Sequence, residues 1–247
     1  MLGELESRSG FVVLDQIPLE ELSSDQAILV YWLIGQMIGE PFVQNIKGTL
    51  LYDVQDKGAD YTKGARFSIT NARSSFHTDG AFNAQIADFI GLLCLRTAQS
   101  GGENQMVSAY SIHNVLADRH PNVLEMLYQP FCFDRRGEFA RGQSPTSDHP
   151  IFSWDGSELT TRYLNYYIHE GHRQTGLAMS KRQRDALDAV ERLLDDNGLF
   201  VQFSLEPGQM LWSNNHWILH NRNAFVDHYD PDRRRRYVRL WLSRLST

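Results

Sequence analysis

The chain has 247 residues, 42% hydrophobic and 22% charged, enough to bury a sizeable core in one domain. Its formal net charge of −6 argues against general nucleic-acid binding. Its two cysteines, Cys94 and Cys132, exclude a disulfide framework or a cysteine-rich metal site.

The N-terminus lacks a basic segment followed by an apolar stretch, and no run of about 18 apolar residues occurs, so a cytoplasmic protein without a membrane partner is expected. The first predicted helix covers Asp25 to Ile38, with Ser24 as N-cap and Ile28, Leu29, Tyr31, Trp32 and Ile34 as apolar positions. Ala87 to Ala98 is an apolar, strand-like run. A second helix is expected from Ser108 toward His120, where Pro121 interrupts or restarts it. Gly137 to Gly156 reads as a long loop, and an aromatic, strand-like stretch is expected after it at Arg162 to Tyr167. The third helix, Ser180 to Asp196, opens with the capping box Ser180-x-x-Gln183 and buries Leu187, Val190, Leu193 and Leu194, with Gly198 placed to help end it. Strands follow at Leu199 to Leu205, Gln209 to Trp212 and Tyr237 to Leu242, with a long loop at Ala224 to Arg233. Strands with turn signals and a few helices predict a fold that is mainly β with flanking α-helices, in a single domain over residues 1–247.

Three segments carry chemistry. In Phe76-His77-Thr78-Asp79-Gly80, an extended backbone puts His77 and Asp79 on one face, where they can supply two adjacent metal ligands. A His-x-Asp pair alone occurs in many proteins by chance. Trp212 to Phe225 carries His216 and His220 four residues apart. The Glu206-Pro207-Gly208 turn before it favours strand over helix. The third segment holds four consecutive arginines, Arg233 to Arg236. On an alternating strand Arg235, Tyr237 and Arg239 share one face, and Arg234, Arg236 and Val238 the other.

In this order the segments resemble the TauD/TfdA (taurine dioxygenase-like) family of iron(II)- and 2-oxoglutarate-dependent oxygenases. The resemblance runs from about Phe76 to Leu242: His77-Thr78-Asp79-Gly80 for the ligand pair, Gly101-Gly102-Glu103 for the glycine turn, His220-Asn221-Arg222 with Phe225 for the distal histidine, and Arg234-Arg235-x-x-x-Arg239 for the closing strand. It implies a double-stranded β-helix (jelly roll) core, with Fe(II), 2-oxoglutarate as cosubstrate and O2. It also implies Fe(II) on His77, Asp79 and His220, and Arg235 on the distal carboxylate of 2-oxoglutarate, a task that suits a bidentate guanidinium. Arg239 would assist there or bind an anionic group of the substrate. Asn104 stands where many relatives have threonine, and its amide can still donate a hydrogen bond to 2-oxoglutarate. Asp79 provides the carboxylate that related halogenases lack, which favours hydroxylation.

The expected function is oxidation, above all hydroxylation, of an unactivated C–H bond in a small anionic or zwitterionic metabolite. The same chemistry can end in desaturation, cyclisation or epimerisation, and a catalytically silent jelly roll that binds a small anion is the reading from another class. Asn71, Arg73, Tyr163 and Asn165 are candidate substrate contacts, although Tyr163 and its aromatic neighbours fit a plain core strand as well. Arg222 is open between orienting the cosubstrate and a structural ion pair. His216 reads as a packed or supporting histidine, and His169 and His172 as surface residues. Arg233 and Arg236 read as solvent-facing or paired with acids such as Asp230 and Asp232.

Overall fold

The computed structural model describes residues 1–196 and 198–245. Its first half runs α1 (Leu2–Ser7), β1 (Phe11–Leu14), α2 (Ser24–Gln36), β2 (Glu40–Phe42), β3 (Leu51–Val54), β4 (Phe89–Arg96), β5 (Ser100–Gly101), β6 (Asn104–Ser108), α3 (Ala109–Arg119), α4 (Pro121–Leu127) and β7 (Pro130–Asp134). Its second half runs β8 (Thr146–Pro150), β9 (Phe152–Trp154), β10 (Leu159–Thr161), α5 (Asn165–Thr175), α6 (Lys181–Leu194), β11 (Phe200–Phe203), β12 (Met210–Asn214), β13 (Ile218–Arg222), β14 (Phe225–Val226) and β15 (Arg236–Ser243). The expected mainly-β architecture with flanking helices is what the chain forms.

Two antiparallel sheets make the jelly-roll core. The larger has the order β1-β12-β4-β15-β2, with β3 also on β15, and the smaller the order β11-β6-β13. Period-two alternation divides the last strand sharply. Val238, Leu240 and Leu242 point outward to Ala27 and Tyr31 of α2 in one buried cluster. Tyr237 points inward, into a second cluster shared with Cys94, Met106, Ile218 and Leu219 from both sheets. Among the described residues no helix is long and apolar enough to cross a membrane.

Local chemistry explains the helices. Ser180 Oγ accepts from the Gln183 amide, and the Gln183 side chain accepts from the Ser180 amide, as the capping box requires. The N-cap of α2 is Ser23 and not Ser24. A reciprocal box needs Gln or Glu three residues on, and Gln26 follows Ser23 at that distance while Ala27 follows Ser24.

Three expectations are corrected. The aromatic stretch at Arg162 to Tyr167 is not a strand: α5 begins at Asn165 and carries His169 and His172. Its N-cap Leu164 and, within the helix, Ile168 and Gly171 are buried, a helical spacing that the run of tyrosines conceals. The segment Gly137 to Gly156 contains β8 and β9, which pair with β7 and β10. The sequence of β8, Thr-Ser-Asp-His-Pro, has no apolar alternation to announce it and is held by backbone pairing. The loop Ala224 to Arg233 contains β14, paired with β5, and a short 3-10 turn at Pro231–Arg233.

Helix α5 lies so close to β7 that a methyl group at Gly171 would sit 2.4 Å from the Cys132 carbonyl oxygen. In an exposed helix, glycine to alanine stabilises by about 1 kcal/mol. Here the clash is with backbone, which cannot rotate away. Gly171→Ala is therefore expected to destabilise the protein by about 1–3 kcal/mol, as overpacking does. Chemical denaturation measures it, and a gain in stability would refute the close approach.

Candidate metal centre and cosubstrate pocket

His77 and His220 lie far apart in sequence and are joined by main-chain pairing. The His77 amide donates to the His220 carbonyl at 3.0 Å and the His220 amide to the His77 carbonyl at 2.9 Å. This reciprocal pair brings the imidazole centroids to 4.2 Å. Asp79 lies two residues beyond His77, on the same side. Its Oδ1 is 3.5 Å from His77 Nε2 and 3.8 Å from His220 Nε2. One donor atom from each of the three lies within 4.8 Å of the others, so they can share one ion. Two histidines and one carboxylate on a common face match an octahedral iron(II) site with open positions. His77 Nδ1 is 2.8 Å from the Ser75 carbonyl, which makes it the protonated nitrogen and leaves Nε2 to the metal.

Asp79 is positioned from several directions. Asn215 Oδ1 accepts from its amide at 2.8 Å, and Asn215 Nδ2 donates to its carbonyl at 2.9 Å. Its second carboxylate oxygen accepts from Trp241 Nε1 at 2.8 Å and pairs with Arg239 Nη1 at 3.0 Å. Those contacts occupy Oδ2 and leave Oδ1 facing the histidines. Burial alone would raise the Asp79 pKa, but Arg239 and the two histidines outweigh it and hold the carboxyl well below the usual range. Burial, reinforced by His77, pushes His220 down to about 3, so its imidazole is neutral and fit to ligate at neutral pH.

The far end of the same cavity is built differently. Asn104, Arg222 and Arg235 line it together with His77, Asp79 and His220. All three are buried, yet Asn104 Nδ2, Arg222 Nε and Arg235 Nη1 lack hydrogen-bond partners among the described residues. Orphaned buried donors are costly, and several aimed into one cavity fit an anionic group. Arg235 runs past Gly102 (3.5 Å from Nε to the position a methyl would take), and its guanidinium carbon lies 3.8 Å from the Tyr237 ring centroid. The Gly101-Gly102 turn thus leaves room for the arginine stem.

The other expected residues fall differently. Arg239 lines the cavity, with donors taken by Asp79 and by Gln44 (Nε to Oε1, 2.8 Å). Asn71, Arg73, Tyr163 and Asn165 are not on the cavity wall. Asn71 and Arg73 are exposed. Tyr163 is fully buried, its hydroxyl bonded to Glu191 and its carbonyl to the Thr78 amide, so it supports the ligand segment from behind. His216 is bonded to Asp88 and Thr160, as expected of a supporting histidine. Arg236 pairs with Asp53 rather than with Asp230 or Asp232.

Several wall residues carried no motif. Trp241 could have been inferred, since alternation places it on the face of Arg239. Arg66, Phe67, Phe82 and Tyr167 also line the cavity. Arg136 supports that wall: its guanidinium donates to the Tyr61 and Ala65 carbonyls and lies 5.1 Å from the Tyr167 ring. No sequence pattern joins these segments.

A jelly roll holding a His-Asp-His face beside an anion-seeking pocket defines the iron(II)- and 2-oxoglutarate-dependent oxygenases. The chain belongs to the taurine catabolism dioxygenase TauD, TfdA family, whose profile matches residues 1–241. It is 30% identical over 245 residues to FR-33289 synthase of Streptomyces rubellomurinus (strain ATCC 31215), covering 97% of this chain and 70% of that protein. It is 29% identical over 190 residues to a uridine-5'-phosphate dioxygenase of Amycolatopsis sp, covering 76% of this chain and 66% of that one. Its fold resembles asparagine oxygenase in complex with Fe(II), 2S,3S-3-hydroxyasparagine and succinate, with a TM-score of 0.75, 18% identity, and coverage of 99% and 78% of the two chains. It also resembles the non-haem iron oxygenase OrfP in complex with Fe and alpha-ketoglutaric acid, with a TM-score of 0.70, 18% identity, and coverage of 98% and 78%. The enzyme reading therefore stands over the silent ligand-binding one.

Trp241→Phe keeps the ring's bulk and removes one of the two groups that hold Asp79 Oδ2. Loss of such an outer partner is expected to weaken metal binding about 10- to 100-fold. Anaerobic titration with Fe(II) measures this, and unchanged affinity would reduce Trp241 to packing.

Proposed function

We propose that this enzyme hydroxylates an unactivated C–H bond of a small anionic or zwitterionic metabolite, with iron(II) on His77, Asp79 and His220 and the distal carboxylate of 2-oxoglutarate on Arg235 and Asn104. The observation that carries the proposal is that the His-Asp-His cluster and the orphaned donors of Asn104 and Arg235 line one cavity. When bound, iron(II), 2-oxoglutarate and O2 supply the oxidising power, as the keto acid goes to succinate and carbon dioxide.

The chain's own groups do the rest. Asp79 stays ionised, and its Oδ1 is presented by Trp241 and Arg239. The imidazoles of His77 and His220 complete the ligand face, and Arg235 fixes the far end of the cosubstrate. Phe67, Phe82, Leu164 and Tyr167 give the cavity an apolar wall that excludes water and against which a substrate would pack. Arg66 and Arg239 also line the cavity, Arg66 paired with Glu138 and Arg239 with Asp79. The names of the uridine-5'-phosphate and asparagine enzymes support a polar metabolite of modest size. Asn71, Arg73, Tyr163 and Asn165 would affect substrate only through the segments they support. A cytoplasmic enzyme with a small-molecule partner and one domain along the chain belongs to the same reading.

Purified protein with Fe(II), O2 and 2-oxoglutarate is expected to release succinate, faster when the right metabolite is present. His77→Ala and Asp79→Ala are each expected to abolish that release and to weaken iron binding. The product mass separates one added oxygen from two lost hydrogens. A protein that consumes no 2-oxoglutarate, and whose two variants bind iron as the parent does, would overturn the proposal.

A further inference from the structure

Arg222 follows His220 by two residues on β13, so both side chains project from the same face of the strand. The register sets Arg222 directly opposite Asn104 on β6, as it sets His220 opposite Met106. Arg222 is 8% exposed and Arg235 3%. Their guanidinium carbons lie 4.9 and 5.2 Å from the centroid of one shared ring, Phe225. An ion pair would have explained Arg222 structurally. Among the described residues no acidic side chain reaches salt-bridge distance of either guanidinium, and each keeps an orphaned donor. Two cations therefore share one dry pocket. Bringing two unpaired cations together in the interior costs free energy that an entering anion would return.

We propose that Arg222 is a second guanidinium for the distal carboxylate of 2-oxoglutarate, which is then held by two arginines and Asn104. This rests on the cosubstrate reading above and adds to it. Arg235 lies just before β15 of the larger sheet, and Arg222 and Asn104 belong to the smaller one, so the carboxylate would bridge the two sheets at the end of the cavity away from the metal. Arg222 has one structural duty as well, since Nη2 donates to the Ala72 carbonyl in the segment that leads to His77. A variant must therefore be read against a ligand that lacks the distal carboxylate.

The experiment is anaerobic calorimetric titration of the Fe(II)-loaded protein with 2-oxoglutarate and, separately, with 2-oxopentanoate, which has the same chain length and no distal carboxylate. Arg222→Gln is expected to raise the Kd for 2-oxoglutarate about tenfold or more, the loss typical of one charge-assisted hydrogen bond. The Kd for 2-oxopentanoate should stay within about twofold of the parent. Arg222→Lys, which keeps the charge but not the planar fork, should recover part of the loss. The proposal is overturned if Arg222→Gln binds 2-oxoglutarate as the parent does, or if it weakens both acids equally. If Arg222→Gln does not fold, the Lys variant must itself lose selectivity between the two acids, and unchanged selectivity there overturns the proposal. Parent protein that fails to prefer 2-oxoglutarate refutes the cosubstrate reading itself, whereas a parent that prefers it and an Arg222→Gln variant that prefers it equally refute only this inference.

Discussion

The reciprocal main-chain hydrogen bonds between His77 and His220 are the constraint on which the site depends. They turn two distant stretches of chain into neighbours and fix the imidazoles side by side without help from side chains. A backbone pair tolerates sequence change around it, because amide and carbonyl groups are the same whichever residues flank them. Asp79 then needs only the two-residue period of extended backbone to join them. Asn215, three residues before the β13 strand that carries His220, clamps the Asp79 backbone in both directions. The ligand face is thus built by hydrogen bonding between the segments that carry the ligands.

Charge along the cavity is arranged in opposite ways at its two ends. Near the metal site each charge has a partner: Asp79 meets Arg239, Trp241 and two histidines, and Arg239 also meets Gln44. At the other end Arg222 and Arg235 face the cavity with no described acidic side chain at ion-pair distance. The first arrangement is stable as it stands and needs only a cation to bridge the three ligand atoms. The second is complete only with an anion. Under the proposed reading a dianionic keto acid would offer one end to each region, which ties the two halves of the cavity together.

Legibility in the sequence followed how local each device is. His77 and Asp79 could be set on one face because extended backbone alternates, whereas His220 and Arg235 were singled out by the family resemblance. The α6 helix could be read because its capping box lies within four residues. Helix α5 was hidden because Tyr163, Tyr166 and Tyr167 suggest a strand, while the residue that decides the matter, Gly171, acts through contact with Cys132 some forty positions earlier. Strand β8 was hidden because an edge hairpin can be held by backbone alone. Arg239 was legible as a cavity arginine, but its contact with Asp79 was not, since that contact depends on where the two sheets set a carboxylate and a guanidinium against each other.

The same distinction explains why the chemistry is better defined than the substrate. The proposed metal ligands and cosubstrate anchors sit on or beside paired strands, where register dictates position. The opposite wall comes from loops: Arg66 and Phe67 from one segment, Phe82 from a second, Tyr167 from α5. Arg136, at φ +50, reaches from the turn after β7 to the carbonyls of Tyr61 and Ala65, and Arg162 ties the Phe82 segment through the carbonyls of Ala81, Asn83 and Ala84. Non-glycine residues seldom adopt that backbone conformation, and its persistence implies that the surrounding contacts enforce it. A wall held by long-range side-chain contacts can be rebuilt by changing loop lengths and turns while the strand-borne residues stay in place. Relatives about 30% identical can therefore share the iron chemistry and differ in what they oxidise, so the substrate should be sought in the shape and charge around Arg66, Phe67, Phe82 and Tyr167 rather than in the ligand motifs.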